Sequence, residues 1–202
     1  MADEENNDPM INTVSIADFV KVGTNRTGVW GKLYRASVAK KCKFPEGHYG
    51  EDIYYNAIYL TDNSVITAGV VESVTYLRYD NASSASHLWD VKDFLDIAEV
   101  IEKLYLVVKQ RANNRKIREQ YLQLFFTQFC KCKYNIILRR GYTKDIKALL
   151  KRVRKRHIKE LFLSHLGIKY KLVLLIFSAS NWVYRTWLLH DDPSMKLYEK
   201  AF

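Results

Sequence analysis

From Val91 to Leu161 apolar residues return at the period of an α-helix in three successive runs, and this limits what the chain can build. Val91, Phe94, Leu95, Ala98, Ile101, Leu104, Tyr105 and Val108 make the first stripe. Asp90 is placed to cap it, and Asp93 puts a negative charge in its first turn. Asn113-Asn114 breaks the run, and Ile117, Tyr121, Leu124, Phe125 and Phe129 open a second. Gly141 breaks that one, and Thr143 can cap a third carrying Ile146, Leu149, Leu150, Val153, His157 and Leu161, with Gly167 as its natural stop. More than a third of the chain is thereby committed to helices.

Charge divides the chain at the same place. Residues 1–100 hold 9 Lys/Arg against 15 Asp/Glu, and residues 101–202 hold 23 against 7. The third helix concentrates this excess: Lys144, Lys147, Lys151, Arg152, Arg154, Lys155, Arg156 and Lys159 are opposed only by Asp145 and Glu160. An acidic half joined to a basic one has two surfaces to present, and the basic one suits an anionic partner, lipid or nucleic acid. Nucleic acid is the poorer match, because no recognition motif or aromatic-bearing sheet accompanies the cations. Leu172–Tyr184 is uncharged over 13 residues, short of the ~20 a spanning helix needs. Trp182, Tyr184 and Trp187 beside Lys169, Lys171 and Arg185 suit a membrane–water interface. No apolar leader follows Met1, and three cysteines make no disulfide framework. The expected location is cytoplasmic, with the inner face of the plasma membrane as the surface a peripheral protein would meet.

The acidic half is less regular. Residues 1–13 read as a disordered lead, polar and acidic at 2–9, and a short amphipathic piece covers Val14–Val22. Glycines and aromatics crowd Gly28 to Asp52, and Ile53–Leu60 reads as a helix opening at Glu51-Asp52 and closed by Asp62-Asn63-Ser64. Val65–Val71 and Glu72–Arg78 read as two strands, or one bulged strand, before an Asn/Ala/Ser loop at 80–86. The fold class is therefore α/β: a partial Rossmann-like region at 14–89 with a short helix and strands, then a mainly helical basic region at 90–202. Loop, helix and two strands are too few to close an α/β domain by themselves.

No glycine-rich phosphate loop, metal-ligand spacing or nucleophile elbow occurs in the sequence. Cys130-x-Cys132 has no partner pair, and His48 reads as a loop histidine. The strongest local pattern is Glu46-Gly47-His48-Tyr49-Gly50-Glu51-Asp52 leading into a helix. Acids favour helix starts for the exposed N–H groups alone. The same Asp52, pointed into a cleft, could instead take a proton from an attacking hydroxyl, a step worth ~10²–10⁴ in rate. Amides that stabilise its anion would weaken it as a base, so positioning would carry most of the effect.

The succession Trp30-Gly31-Lys32-Leu33-Tyr34-Arg35, Phe44-Pro45-Glu46-Gly47, Glu51-Asp52 and Tyr76-Leu77-Arg78 resembles the second half of the GT-A catalytic domain of bacterial family 2 glycosyltransferases. The resemblance covers about residues 14–110. It implies inverting sugar transfer from a nucleotide sugar, UDP-linked most often, to a glycan or lipid-linked acceptor in cell-surface polysaccharide synthesis. It implies that Asp52 is the general base and that Trp30, Lys32, Glu51, Tyr76 and Arg78 line the substrate cleft. It also implies a divalent ion, Mg or Mn, on an Asp-x-Asp motif. No Asp-x-Asp and no nucleotide-binding β-α-β segment occurs in this sequence. The donor-binding half is expected upstream or on a second chain, or else the protein is a remnant without transferase activity. The alternative is a non-catalytic module that binds membrane surfaces or nucleic acid through its basic helices.

Overall fold

The computed structural model describes residues 11–21, 27–46, 49–65, 67–71, 90–180, 182–183 and 186. In chain order the elements are β1 (Ile11–Ser15), α1 (Ile16–Lys21), α2 (Ala36–Ala39), α3 (Glu51–Leu60), β2 (Thr67–Val71), α4 (Val91–Arg111), α5 (Arg115–Leu138), α6 (Lys144–Leu163) and α7 (Ile168–Ala179). Among the described residues the molecule is mainly helical with one small sheet, a partial α/β region followed by helices.

The sheet is an antiparallel pair in which Ile11 faces Val71 and Ser15 faces Thr67. Ile11–Thr13, placed in the disordered lead by composition, are thus part of a strand. Its partner lies more than fifty residues away in sequence, so the pairing is a tertiary interaction that no local pattern announces. Gly69 is opposite Thr13, and a Cβ there would come within 3.0 Å of Ile11 Cγ2. Ser15 then starts α1: its hydroxyl accepts from the Asp18 N–H (3.2 Å) and donates to the Asp18 carboxylate (2.6 Å). Glu72–Arg78 lie outside the described residues.

The helices follow their apolar period. Asp90 caps α4 in a reciprocal box with Asp93, Asn114 caps α5, and the Thr143 hydroxyl caps α6 by accepting from Ile146 N. Only residues 112–114 join α4 to α5, a length that sets antiparallel neighbours. Phe94, Ile97, Ile101, Leu104 and Val108 of α4 pack with Tyr121, Phe125, Phe126 and Phe129 of α5 as the main core. α6 is attached through polar groups. His157, 1% exposed, has Nε2 2.8 Å from Glu102 Oε1, and Arg156 donates to the same oxygen at 2.7 Å. One turn on, Glu160 accepts from Tyr105 and Lys109, each at 2.6 Å. Burial pushes the Glu160 carboxyl upward, but these two donors outweigh it and hold the carboxyl below its ordinary range.

Two stop signals differ from the sequence reading. α5 ends in a Schellman turn: Arg140 N bonds Ile137 O and Gly141 N bonds Ile136 O, each at 3.0 Å. The left-handed residue is Arg140, with φ 56°, not Gly141. Gly141 is required for space instead, since a Cβ there would overlap the Val91 side chain. Gly167 does not end α6, which stops at Leu163 with Ser164 as C-cap; it opens α7 as its N-cap. An L-residue held left-handed costs roughly 1–2 kcal/mol, part of which glycine returns through its larger unfolded-state entropy. Arg140→Gly is therefore expected to stabilise the chain by ~0.5–1 kcal/mol, read as a higher urea midpoint at unchanged slope. An unchanged or lower midpoint would contradict the strain at this turn.

Candidate functional site

The geometry around Asp52 is set by how residues 28–35 lie along α3. Asp52, Asn56 and Tyr59 stand four and three residues apart, so they share one helix face. Tyr34 lies on that face. Its ring meets Tyr59 edge-on at 4.7 Å and Tyr55 at 5.7 Å, and its hydroxyl donates to Asn56 Oδ1 at 3.2 Å. The backbone N–H of Arg35 donates to the Tyr59 hydroxyl at 2.8 Å. Asn56 is 0% exposed, and a buried amide holds its neighbours in place because losing them would strand its polar atoms. Phe44 stacks on Tyr55, centroids 4.3 Å apart and nearly parallel.

This fastening carries Trp30 and Lys32 to the start of α3. Gly31, with φ 66°, makes the turn between them. Lys32 Nζ then lies 5.6 Å from the centre of the Trp30 ring and donates to the Gly28 carbonyl. The field of Asp52 acts on Lys32 and that of Lys32 on Asp52. Burial lowers the Lys32 ammonium pKa, and the Asp52 carboxylate partly restores it.

Gly50 provides the entry to α3. Its φ of 87° is a left-handed conformation that a side chain resists. It has no side chain with which to cap the helix, so first-turn amides are left to Asp52, whose Oδ1 accepts from Ile53 N at 2.7 Å. Asp52 is half-buried, and burial raises its carboxyl pKa against the opposing pull of the backbone amides and Lys32. The sequence argument expected the helix start to weaken this base. Desolvation outweighs the amides, so the carboxylate is a stronger base than a solvated aspartate. Glu51 is exposed on the neighbouring position and raises Asp52 further by like-charge repulsion.

Of the residues expected at the site, Lys32 lies against the Trp30 ring and acts electrostatically on Asp52, Glu51 adjoins Asp52, and Trp30 is 43% exposed. Tyr76, Arg78, Gly47 and His48 lie outside the described residues. Tyr34, Asn56 and Tyr59 were not singled out as site residues, although an Asn in the apolar run of α3 was a legible signal. Two cavities stand out among the described residues, and neither is lined by Asp52. One lies between β1, α1 and the α4–α5 turn, and the other beneath α6. Among the described residues no three His, Cys, Asp or Glu side chains converge to hold a metal ion. The divalent ion that the resemblance implies has no such ligand set among the described residues. Cys130 and Cys132 are both buried, and burial raises both thiols to about 12, so neither is a thiolate at neutral pH.

The class these features define is a mixed chain in which an α/β-like piece bearing a raised carboxylate is joined to a cationic helical region. No family model matches the chain, and no curated protein or solved structure is similar to it.

Proposed function

We propose that the chain is the acceptor-side portion of an inverting glycosyltransferase of the GT-A type, with Asp52 as general base. The reading is supported by Lys32, whose ammonium lies 5.6 Å from the centre of the half-exposed Trp30 ring and whose charge acts on Asp52 some twenty positions on. A sugar ring stacks on the half-exposed indole. Its hydroxyl loses a proton to the Asp52 carboxylate as the oxygen attacks the anomeric carbon of a UDP-sugar and the nucleoside diphosphate leaves with the bonding pair. Lys32 beside the carboxylate keeps it anionic between turnovers. Nucleotide-binding residues would come from another segment or a second chain.

The basic helices supply the second part of the proposal, a peripheral position on the cytoplasmic face of an anionic membrane. No helix among the described residues is long and apolar enough to cross a bilayer. α7 nevertheless exposes Ile168, Leu172, Val173 and Ile176, with Trp182 72% exposed beyond it. Apolar side chains beside Lys169 and Lys171 fit a headgroup boundary better than a nucleic-acid groove. The same surface would serve the alternative, a non-catalytic membrane-binding module.

The discriminating experiment supplies the chain, together with the segment or second chain that carries the donor-binding residues, with labelled UDP-sugars, Mg or Mn, and a panel of glycan and lipid-linked acceptors. Product of inverted anomeric configuration is expected, read by NMR, with acceptor binding followed by tryptophan fluorescence. Trp30→Ala is expected to weaken acceptor binding roughly tenfold, as loss of a ring-stacking platform implies. If no acceptor in the panel binds and no donor turns over, the transferase reading is lost and the binding module stands.

A further inference from the structure

We propose that the open cavity between α5, α6 and α7 is a binding site for a phosphate-bearing ligand, held by Lys133, Lys147, Lys151 and Arg154. The proposal does not rest on the glycosyltransferase reading. The cavity measures about 210 Å³ and is closed on its apolar side by Phe129 and Leu150. Lys147, Lys151 and Arg154 recur on one face of α6, four and three residues apart, and turn that face toward Lys133 of α5.

Lys133 is the unusual member. It is 6% exposed, in the C-terminal part of α5, where the neighbouring buried residues are Phe129, Cys130, Cys132, Tyr134 and Ile136. A buried cation is normally paired with a carboxylate. Its recorded partner is the carbonyl of Ser178, at 2.8 Å in the last turn of α7. An ammonium has three N–H donors, so that carbonyl leaves two for another acceptor. Burial lowers the Lys133 pKa, and the like charges of Arg154 and Lys147 add to that. Among the described residues no carboxylate pairs with any of the four. Four cations around one hollow, Lys147 and Lys151 exposed at its rim, make it complementary to an oxyanion. Ammonium groups and a guanidinium converging from two helices can bond several oxygens of one phosphate at once.

The ligand phosphate could belong to a soluble molecule or to a lipid headgroup, since α7, which borders the cavity, also bears the exposed apolar face. The test uses the full chain, with inorganic diphosphate as one probe. The other is phosphatidylcholine vesicles with or without phosphatidic acid. Calorimetry is expected to show saturable diphosphate binding that falls at least ~10-fold in Lys147→Ala/Arg154→Ala, the loss expected for charge-assisted bonds. The charge-matched Lys155→Ala/Lys159→Ala, exposed on the same helix and outside the cavity, should bind within about twofold of wild type. Diphosphate should also raise the unfolding midpoint of wild type and of the charge-matched variant, but not of the cavity variant. Vesicle retention that needs phosphatidic acid, is competed by diphosphate and is lost in the cavity variant assigns the phosphate to a lipid. Diphosphate binding without such retention assigns it to a soluble ligand. Equal losses in the two double variants, or no diphosphate binding by wild type, would overturn the proposal.

Discussion

Asp52→Asn is expected to lower sugar transfer by ~10²–10⁴ while leaving acceptor binding within a few-fold of wild type. The asparagine amide keeps the shape of the side chain, and its oxygen still accepts from Ile53 N. Only the ability to take a proton disappears. The second readout is stability. A carboxyl whose folded pKa is raised binds its proton more tightly in the folded state. The fold therefore loses stability as pH rises from the unfolded value of about 3.8 through the raised one. That cost is fully present at pH 7, and Asp52→Asn removes it. The variant should unfold at an equal or higher temperature than wild type at pH 7, with the gap closing in acid where Asp52 is protonated. The wild-type rate should in turn rise with pH through the raised Asp52 pKa. A less stable variant at pH 7 would make Asp52 a fold-stabilising helix-start acid and remove its role as base.

Glu102→Ala is expected to destabilise the chain by about 3 kcal/mol, equivalent to a fall of about 6–12 °C in unfolding midpoint. One Glu102 oxygen accepts from both Arg156 and the buried His157. A carboxylate can only accept, so the His157 Nε2 carries the proton. Truncation leaves that N–H inside the protein with nothing to bond, and it severs the polar link between α4 and α6. Glu102→Gln keeps an acceptor oxygen and should cost clearly less. The pair is checked by urea unfolding at pH 7. If Glu102→Ala unfolds within about 1 kcal/mol of wild type, the polar contact is not what holds α6 in place.

The helical half was legible because each of its signals is local. Asp90, Asn114 and Thr143 cap helices at the positions where the apolar period begins. Leu150, His157 and Leu161 are buried as the α6 stripe requires, whereas Leu149, one residue off that line, is exposed. What escaped was tertiary. β1 exists because β2 is there to pair with it, and Ile11–Ser15 alone carries no mark of that. At the site, Trp30, Lys32 and Asp52 could be named from sequence, but their adjacency depends on Tyr34 and Arg35 finding Asn56 and Tyr59. The cationic cavity escaped for a similar reason. A lysine in the C-terminal part of α5 reads as solvated until α6 and α7 cover it.

Gly50 gives the arrangement a further consequence. A Cβ at this residue would stand only 3.6 Å from the Val100 side chain, so the first turn of α3 rests directly on the flank of α4. The start of α3 is thereby packed on the long helices, and a substitution that enlarges the buried Val100 is expected to displace Asp52 along with it.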